Sequence, residues 1–315
     1  MTPLTEAEAE RHLAAHALLP AHPGFVGLAV DLPHPAPAPA GTTRLRHGFR
    51  TVAADRTVVS GPPSPGLDIA VRRMTEDLGA THPSAAVRVS LEAGTDDHGP
   101  TGMSHRWAVA HAIAPVLVAA FANSPGAGRR TRRPALPAAG AEDPRTAWAR
   151  QVLDAPASPD SPATFRDRIR HGSGRPATIA DLDRHRRAFR PPVAARGHLE
   201  IGVTDRLPGD GWVVAAAVVT TLVDDRQAAA EALVATAALR TTPRLWERAL
   251  RDALTDPDIA AAARSLFLSA YAALGRRGVS RPIRDSVADY LERYVGRGRC
   301  PADDLLATRT EQTRP

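Results

Sequence analysis

Lysine is absent from these 315 residues, so all 40 basic side chains are arginine. That excludes a phosphate loop ending in Gly-Lys-Ser/Thr, a Schiff-base lysine and a lysine general base. Cysteine is nearly absent. Cys300 alone rules out an internal disulfide and a CxxC metal site, and it fits a reducing compartment. Aromatic residues make up only 4%. No apolar run reaches the length of a membrane span, the best candidate being broken by Asn123 and Pro125. The N-terminus opens with acidic helix formers rather than a basic stretch and an apolar core, so no signal peptide is visible and a soluble, cytoplasmic protein without membrane partners is expected. HExxH and GxSxG do not occur. The 12 histidines are scattered and no zinc site is expected.

What is present is arginine, alanine and 29 prolines, with 43% hydrophobic residues, enough to bury a sizeable core. The pI of about 10.6 overstates the basic character, because the net charge is only +6 and an arginine-for-lysine bias creates no patch. Two arginine clusters, Arg129/Arg130/Arg132/Arg133 and Arg184/Arg186/Arg187/Arg190, lack interleaved aromatics beyond Phe189. They are expected to be a solvated loop and a solvated edge rather than a nucleic-acid surface.

Along the chain, Thr5 and Glu8 form a capping box that opens a helix to about Leu18. Phe25 to Leu32 is expected to be a strand, residues 33–41 a surface connection, and Thr51 to Val59 a second strand. Ser64 as cap, Pro65 at the first position and Gly79 as stop bracket a helix whose apolar face is Leu67, Ala70, Val71, Met74 and Leu78. Val87, Val89 and Leu91 alternate with polar residues, a half-buried strand. Ser104 to about Ala122 reads as a core helix, 125–146 as a mobile excursion, and a short helix runs around Trp148 to Leu153 before another proline-rich stretch. His198 to Thr204 is a strand with Leu199, Ile201 and Val203 on one face. From Trp212 onward the chain is helical, with Pro243 and Pro257 at helix starts and Asp224 and Asp225 as caps. The class is α+β.

Gly172, Gly174 and Ala177 match GxGxxA, but Pro176 interrupts the motif and no strand precedes it, so no dinucleotide site is expected. Arginines around Cys300 would stabilise its thiolate, although a plain free thiol is the commoner case for a cysteine so placed. A stronger site signal lies at Glu200, a carboxylate on the polar side of a strand with His198 and Arg196 just before it.

Residues 181–205, DLDRHRRAFRPPVAARGHLEIGVTD, resemble a signature of the glutamate–cysteine ligase family, closest to its actinobacterial branch in ergothioneine biosynthesis. RWAVAHAIAPVLVAAFANSP (106–125), PGDGWVVAAAVVTTLVDD (208–225), YLERYVGRGRCPADD (290–304) and, more loosely, VVSGPPSPGLDIAVRRMTEDL (58–78) also match. The resemblance implies one ligase domain over 1–315, with the site remnants in 1–205 and a helical part in 206–310. It implies a glutamine-synthetase-like fold: a curved, mostly antiparallel sheet with helices outside. It further implies ATP and Mg2+ as cofactors, and glutamate and cysteine as substrates, joined into γ-glutamylcysteine by way of an acyl phosphate. By resemblance, Glu200 and Arg196 are the catalytic residues, Arg88 and His198 bind the cofactor, and Asp31 and Glu200 hold metal.

The sequence departs from the family pattern at the chemistry. Where the family has a Glu-x-Glu on its first strand, Ala29 and Asp31 stand here; Ala53 and Val58 or Val59 replace two further glutamates. Arg88 and Ser90 replace two amides, Ala194 and Gly202 two arginines, and Arg187 and Ala188 a threonine pair. Stretches between 79 and 84 and after Pro125 are missing. Asp31, Glu200 and Asp55 are the carboxylates left for magnesium, with Glu92 able to take over a lost role. Two expectations follow: a shortened ligase of thiol synthesis, or a catalytically inactive member that binds a protein partner.

Overall fold

In a computed structural model, which describes residues 3–33, 39–53, 56–79, 84–97, 99–133, 143–158, 162–172 and 175–312, the chain begins with α1 (Glu6–Ala15). Thr5 and Glu8 form the expected capping box there, each side chain bonding the other residue's amide. Strand β1 (Phe25–Leu32) follows at its expected limits. An unexpected strand β2 (Gly41–Arg44) comes next, and the single strand expected over Thr51–Val59 is two, β3 (Phe49–Ala53) and β4 (Arg56–Ser60), the three paired antiparallel in series. Thr51 and Val52 on one side of the reversal and Thr57 to Val59 on the other read together as one strand. Residues 34–38 of the expected surface connection lie outside the described residues, as does Asp55.

Ser64 and Pro65 do not start a helix. They form β5 (Ser64–Pro65) against β1, and buried Ser64 accepts a hydrogen bond from Arg73 Nη1 at 3.1 Å. Helix α2 (Leu67–Leu78) starts after Gly66 and stops at Gly79 as expected, with the apolar face buried. Strand β6 (Ser84–Leu91) leads to α3 (Met103–Ala120), buried on nearly every side. The residue before α3 is Gly102, where a Cβ would lie 1.9 Å from the Asp97 carbonyl oxygen, so Ser104 is not the cap.

Helix α4 (Pro144–Leu153) covers the expected segment around Trp148, and residues 134–142 of the expected excursion lie outside the described residues. The proline-rich stretch after it holds two unexpected helices, α5 (Phe165–His171) and α6 (Ile179–Ala188). Each is nucleated by a capping box with aspartate in place of glutamate, Thr164/Asp167 and Thr178/Asp181. Then come β7 (Val193–Ala195), β8 (Leu199–Ile201) and β9 (Leu207–Pro208).

The last third is helical: α7 (Gly211–Asp224), α8 (Arg226–Ala235), α9 (Leu245–Arg251), α10 (Pro257–Arg276), α11 (Arg281–Arg293) and α12 (Pro301–Gln312). Asp256 caps α10 ahead of Pro257, and Asp225 caps α8. Pro243 does not open α9, which begins two residues later behind Arg244 in a left-handed conformation. Asp224 caps nothing; it is an ion-pair partner described below.

The main sheet runs β2-β3-β4-β1-β6-β8-β7 and every pairing in it is antiparallel, with β5 on β1 and β9 on β6. Alternation gives it two unlike faces. Val26, Leu28, Val30, Val87, Val89, Leu91, Leu199 and Ile201 are buried, and α7 and α2 pack on the sheet. Behind α7 lie α10 and α11. The opposite face carries Ala29, Asp31, Arg88, Ser90 and Glu200, each half-buried. No described helix is long and apolar enough to cross a membrane.

Candidate functional site

The polar sheet face is set by strand register. Asp31 near the end of β1 sits opposite Val58 on β4 and Ala86 on β6. Arg88, opposite Ala29, reaches diagonally back along the face, and its Nη2 donates to Asp31 Oδ1 at 3.4 Å. Its aliphatic stem lies over Gly202: a Cβ there would come within 3.0 Å of Arg88 Cγ. A side chain at 202 would therefore have to displace the Arg88 stem slightly.

Glu200 is opposite Ser90 on β6 and the fully buried Ala194 on β7. Its Oε1 has Arg196 Nε at 3.7 Å and Arg190 Nη1 at 3.9 Å. Asp31 and Glu200 are not brought together. They lie two strands apart, and their β6 partners Ala86 and Ser90 are four residues apart, so the register separates them by roughly 10 Å across and about 13 Å along the sheet. No single ion spans that distance.

Arg196 is heavily committed. Nη1 donates to the carbonyl of Arg186 and Nη2 to that of Phe189, both at 2.5 Å, which closes the C-terminal end of α6. Its guanidinium also lies 5.5 Å over the Trp148 ring. Burial pulls the Arg196 pKa down to about 10, against the pull of Glu200. Burial likewise lowers His198, with Glu200 opposing, which favours the neutral imidazole. Glu92, a candidate for a transferred role, accepts the amides of Gly24 at 3.3 Å and Phe25 at 3.1 Å and so anchors the start of β1.

Two arginines of the clusters expected in solvent reach this face, Arg133 half-buried and Arg190 still exposed as expected. Arg133 donates to the carbonyls of Gly202 and Thr204 and lies 3.6 Å from Asp205. Burial lowers its pKa while Asp205 and Asp31 raise it. Arg190 feels Arg88, Glu200, Arg56 and Asp31 together, and burial is the main cause of its lowered pKa. Position 190, directly before the prolines of the resembling signature, was the signal in the sequence; for Arg133 there was none. Among the described residues, the guanidinium groups of Arg56, Arg88, Arg133, Arg190 and Arg196 outnumber the carboxylates of Asp31, Glu200 and Asp205. Beside them opens a cleft of about 360 Å³ lined by Asp31, Arg56, Arg132, Arg133, Asp205 and Arg206 among others.

Such a face can hold anions through charge-assisted, bidentate hydrogen bonds. It does not suit a magnesium ion, which needs near-octahedral oxygen ligation with carboxylates free to give it. Among the described residues no group of three or more His, Cys, Asp or Glu side chains converges on a point that could hold a metal. Elsewhere, Cys300 is buried, and burial pushes its thiol up to about 12, so the neighbouring arginines do not yield a thiolate.

Comparison with known proteins gives one consistent result. The model of glutamate-cysteine ligase family 2 matches residues 73–315. The glutamate–cysteine ligase EgtA of Mycolicibacterium smegmatis is 36% identical over 253 residues, which is 70% of this chain and 56% of that protein. The EgtA of Mycobacterium tuberculosis is 33% identical over 257 residues, again 70% and 56%. The chain thus matches little more than half the length of these relatives.

Proposed function

The chain belongs to glutamate–cysteine ligase family 2, and on that premise we propose that it is a non-catalytic member, one that keeps the sheet face as an anion-binding cleft but has lost magnesium-dependent phosphoryl transfer. One observation carries this: the two expected metal ligands among the described residues are already claimed, Asp31 by Arg88 at 3.4 Å and Glu200 by Arg196 and Arg190. Polyphosphate chemistry needs cations placed against charge that develops in the transition state. Here Arg196 spends both terminal nitrogens on the end of α6. What remains suits carboxylates or phosphates held at rest, with Arg88 and Arg190 as contacts and no step routed through a metal.

A second proposal is favoured by the 33–36% identity to EgtA. In it the chain is a shortened ligase of ergothioneine or thiol synthesis that joins glutamate and cysteine with ATP. Asp31 and Glu200 then serve as metal ligands, with Arg196 and Arg88 on the anions.

Isothermal titration with ATP, with magnesium or with EDTA and in the presence or absence of glutamate, separates the two, alongside an assay for γ-glutamylcysteine. The first proposal expects binding indifferent to magnesium and no product. Magnesium-dependent ATP binding that vanishes in Glu200→Ala, with product formed by the unaltered protein, refutes it in favour of the second.

A further inference from the structure

Away from the sheet's polar face, at the opposite end of α7 from its start, a cavity of about 460 Å³ opens between the chain before β1, the α7–α8 junction and the end of α10. Its charged lining is Asp224, Asp225, Arg226, Arg276 and Arg277. It shares no lining residue with the sheet-face cleft.

The charges can be assigned pair by pair. Asp224 is taken by the buried Arg106 at 2.7 Å. Asp225 is taken by Arg276 at 2.8 Å and by the amide of Ala228 at 2.9 Å. Arg226 and Arg277 remain. Both are exposed, and neither has an ion pair or side-chain hydrogen bond among the described residues. Glu92 lies beside the cavity on the Gly24 amide, and Arg277 also acts on Asp224 and Asp225, so Arg106, Arg226, Arg276 and Arg277 exceed the three carboxylates by a single positive charge.

The local backbone points the same way. Arg226 is the first residue of α8, where a cation opposes the helix dipole. The amides of Arg226 and Gln227, lacking helical partners at that end, add donors beside the two guanidinium groups. A cation at the start of a helix opposes the dipole, an effect that the Asp225 cap offsets here.

We propose that this cavity binds a small phosphorylated molecule through its phosphoryl group, with Arg226 and Arg277 as paired donors and the first amides of α8 as the third contact. A phosphoryl group offers the oxygens that guanidinium forks grip, and the cavity's surplus of positive charge favours it. The site is separate from the sheet face and does not depend on whether that face turns over.

The test uses the full chain and inorganic phosphate, titrated calorimetrically at low ionic strength. Three proteins are compared: unaltered, Arg226→Gln/Arg277→Gln, and the sheet-face control Arg88→Gln/Arg190→Gln. Loss of two charge-assisted contacts predicts a Kd raised at least about tenfold in the first variant, with the control keeping a phosphate event of unaltered affinity. Phosphate should also raise the melting temperature of the unaltered protein more than that of the first variant. Both substituted arginines are exposed, and single variants, each expected to show a smaller loss, guard against misfolding of the double. No binding at millimolar phosphate overturns the proposal. So does binding that survives Arg226→Gln/Arg277→Gln and disappears only in the sheet-face control.

Discussion

Replacing Arg106 with methionine probes the buried joint between sheet and helical layer. Arg106 on α3 is 1% exposed at its side chain and Asp224, at the end of α7, 4%. Its Nη2 donates to Asp224 Oδ1 at 2.7 Å, Nε to the Glu92 carbonyl at 3.1 Å and Nη1 to the Val223 carbonyl at 3.2 Å. Methionine fills much of the volume and satisfies none of these acceptors. Breaking one side of a buried pair costs about 3–5 kcal/mol, mostly because the surviving charge is stranded. Burial already raises the Asp224 pKa even with Arg106 opposing it, so the stranded carboxyl will take a proton more readily still. Its folded pKa then exceeds the unfolded value, and the deficit of Arg106→Met must shrink as pH falls from 7 to 5. Adding Asp224→Asn removes the stranded charge and should recover about 2 kcal/mol, a clear departure from additivity. Urea unfolding at both pH values reads all three quantities. A loss below about 1 kcal/mol, or strictly additive single and double variants, refutes this account of the joint.

Other outcomes are expected from the same coordinates. Arg196→Gln should destabilise the fold by about 2–3 kcal/mol, because the end carbonyls of α6 lose charged donors and Trp148 its cation; a variant as stable as the unaltered protein but unable to bind anions would instead make Arg196 a ligand contact. Cys300, at about 12, should ignore maleimide in the native protein at pH 8 and react on denaturation, which mass spectrometry of the adduct will show. Burial lowers the pKa of His111 from 6.5 to about 4. A proton therefore favours the unfolded chain, and stability held in full above pH 6.5 should fall by about 3 kcal/mol towards pH 4. His111→Phe should remove that part of the slope in acid-unfolding curves.

How much was legible in the sequence differs from element to element. β1, the end of α2 at Gly79, the burial of α3 and the cap of α10 rest on signals a few residues long, alternation, helical spacing and capping chemistry, and these survive whatever the chain later packs against. Family membership was equally legible, because long segments agree in order. Ser64–Pro65 shows the limit. The pair looks like a helix start, but its backbone and the buried Ser64 hydroxyl are used by β1 and Arg73. Helices α5 and α6 were written in the sequence as Thr-x-x-Asp boxes and were masked by the surrounding prolines.

The sequence also determined which side chains the site retains, since an alanine at 29 or a glycine at 202 offers no side-chain ligand in any fold. Only the tertiary structure decided what the survivors do. Strand register keeps Asp31 and Glu200 apart, diagonal reach gives Asp31 to Arg88, and the end of α6 consumes Arg196. Arg133 and Arg190 joined the site for the same reason, being brought to the sheet from segments that look solvated in isolation. A side chain's type is a local property, but its partner is chosen across the sheet, where every free carboxylate and guanidinium within reach competes for it.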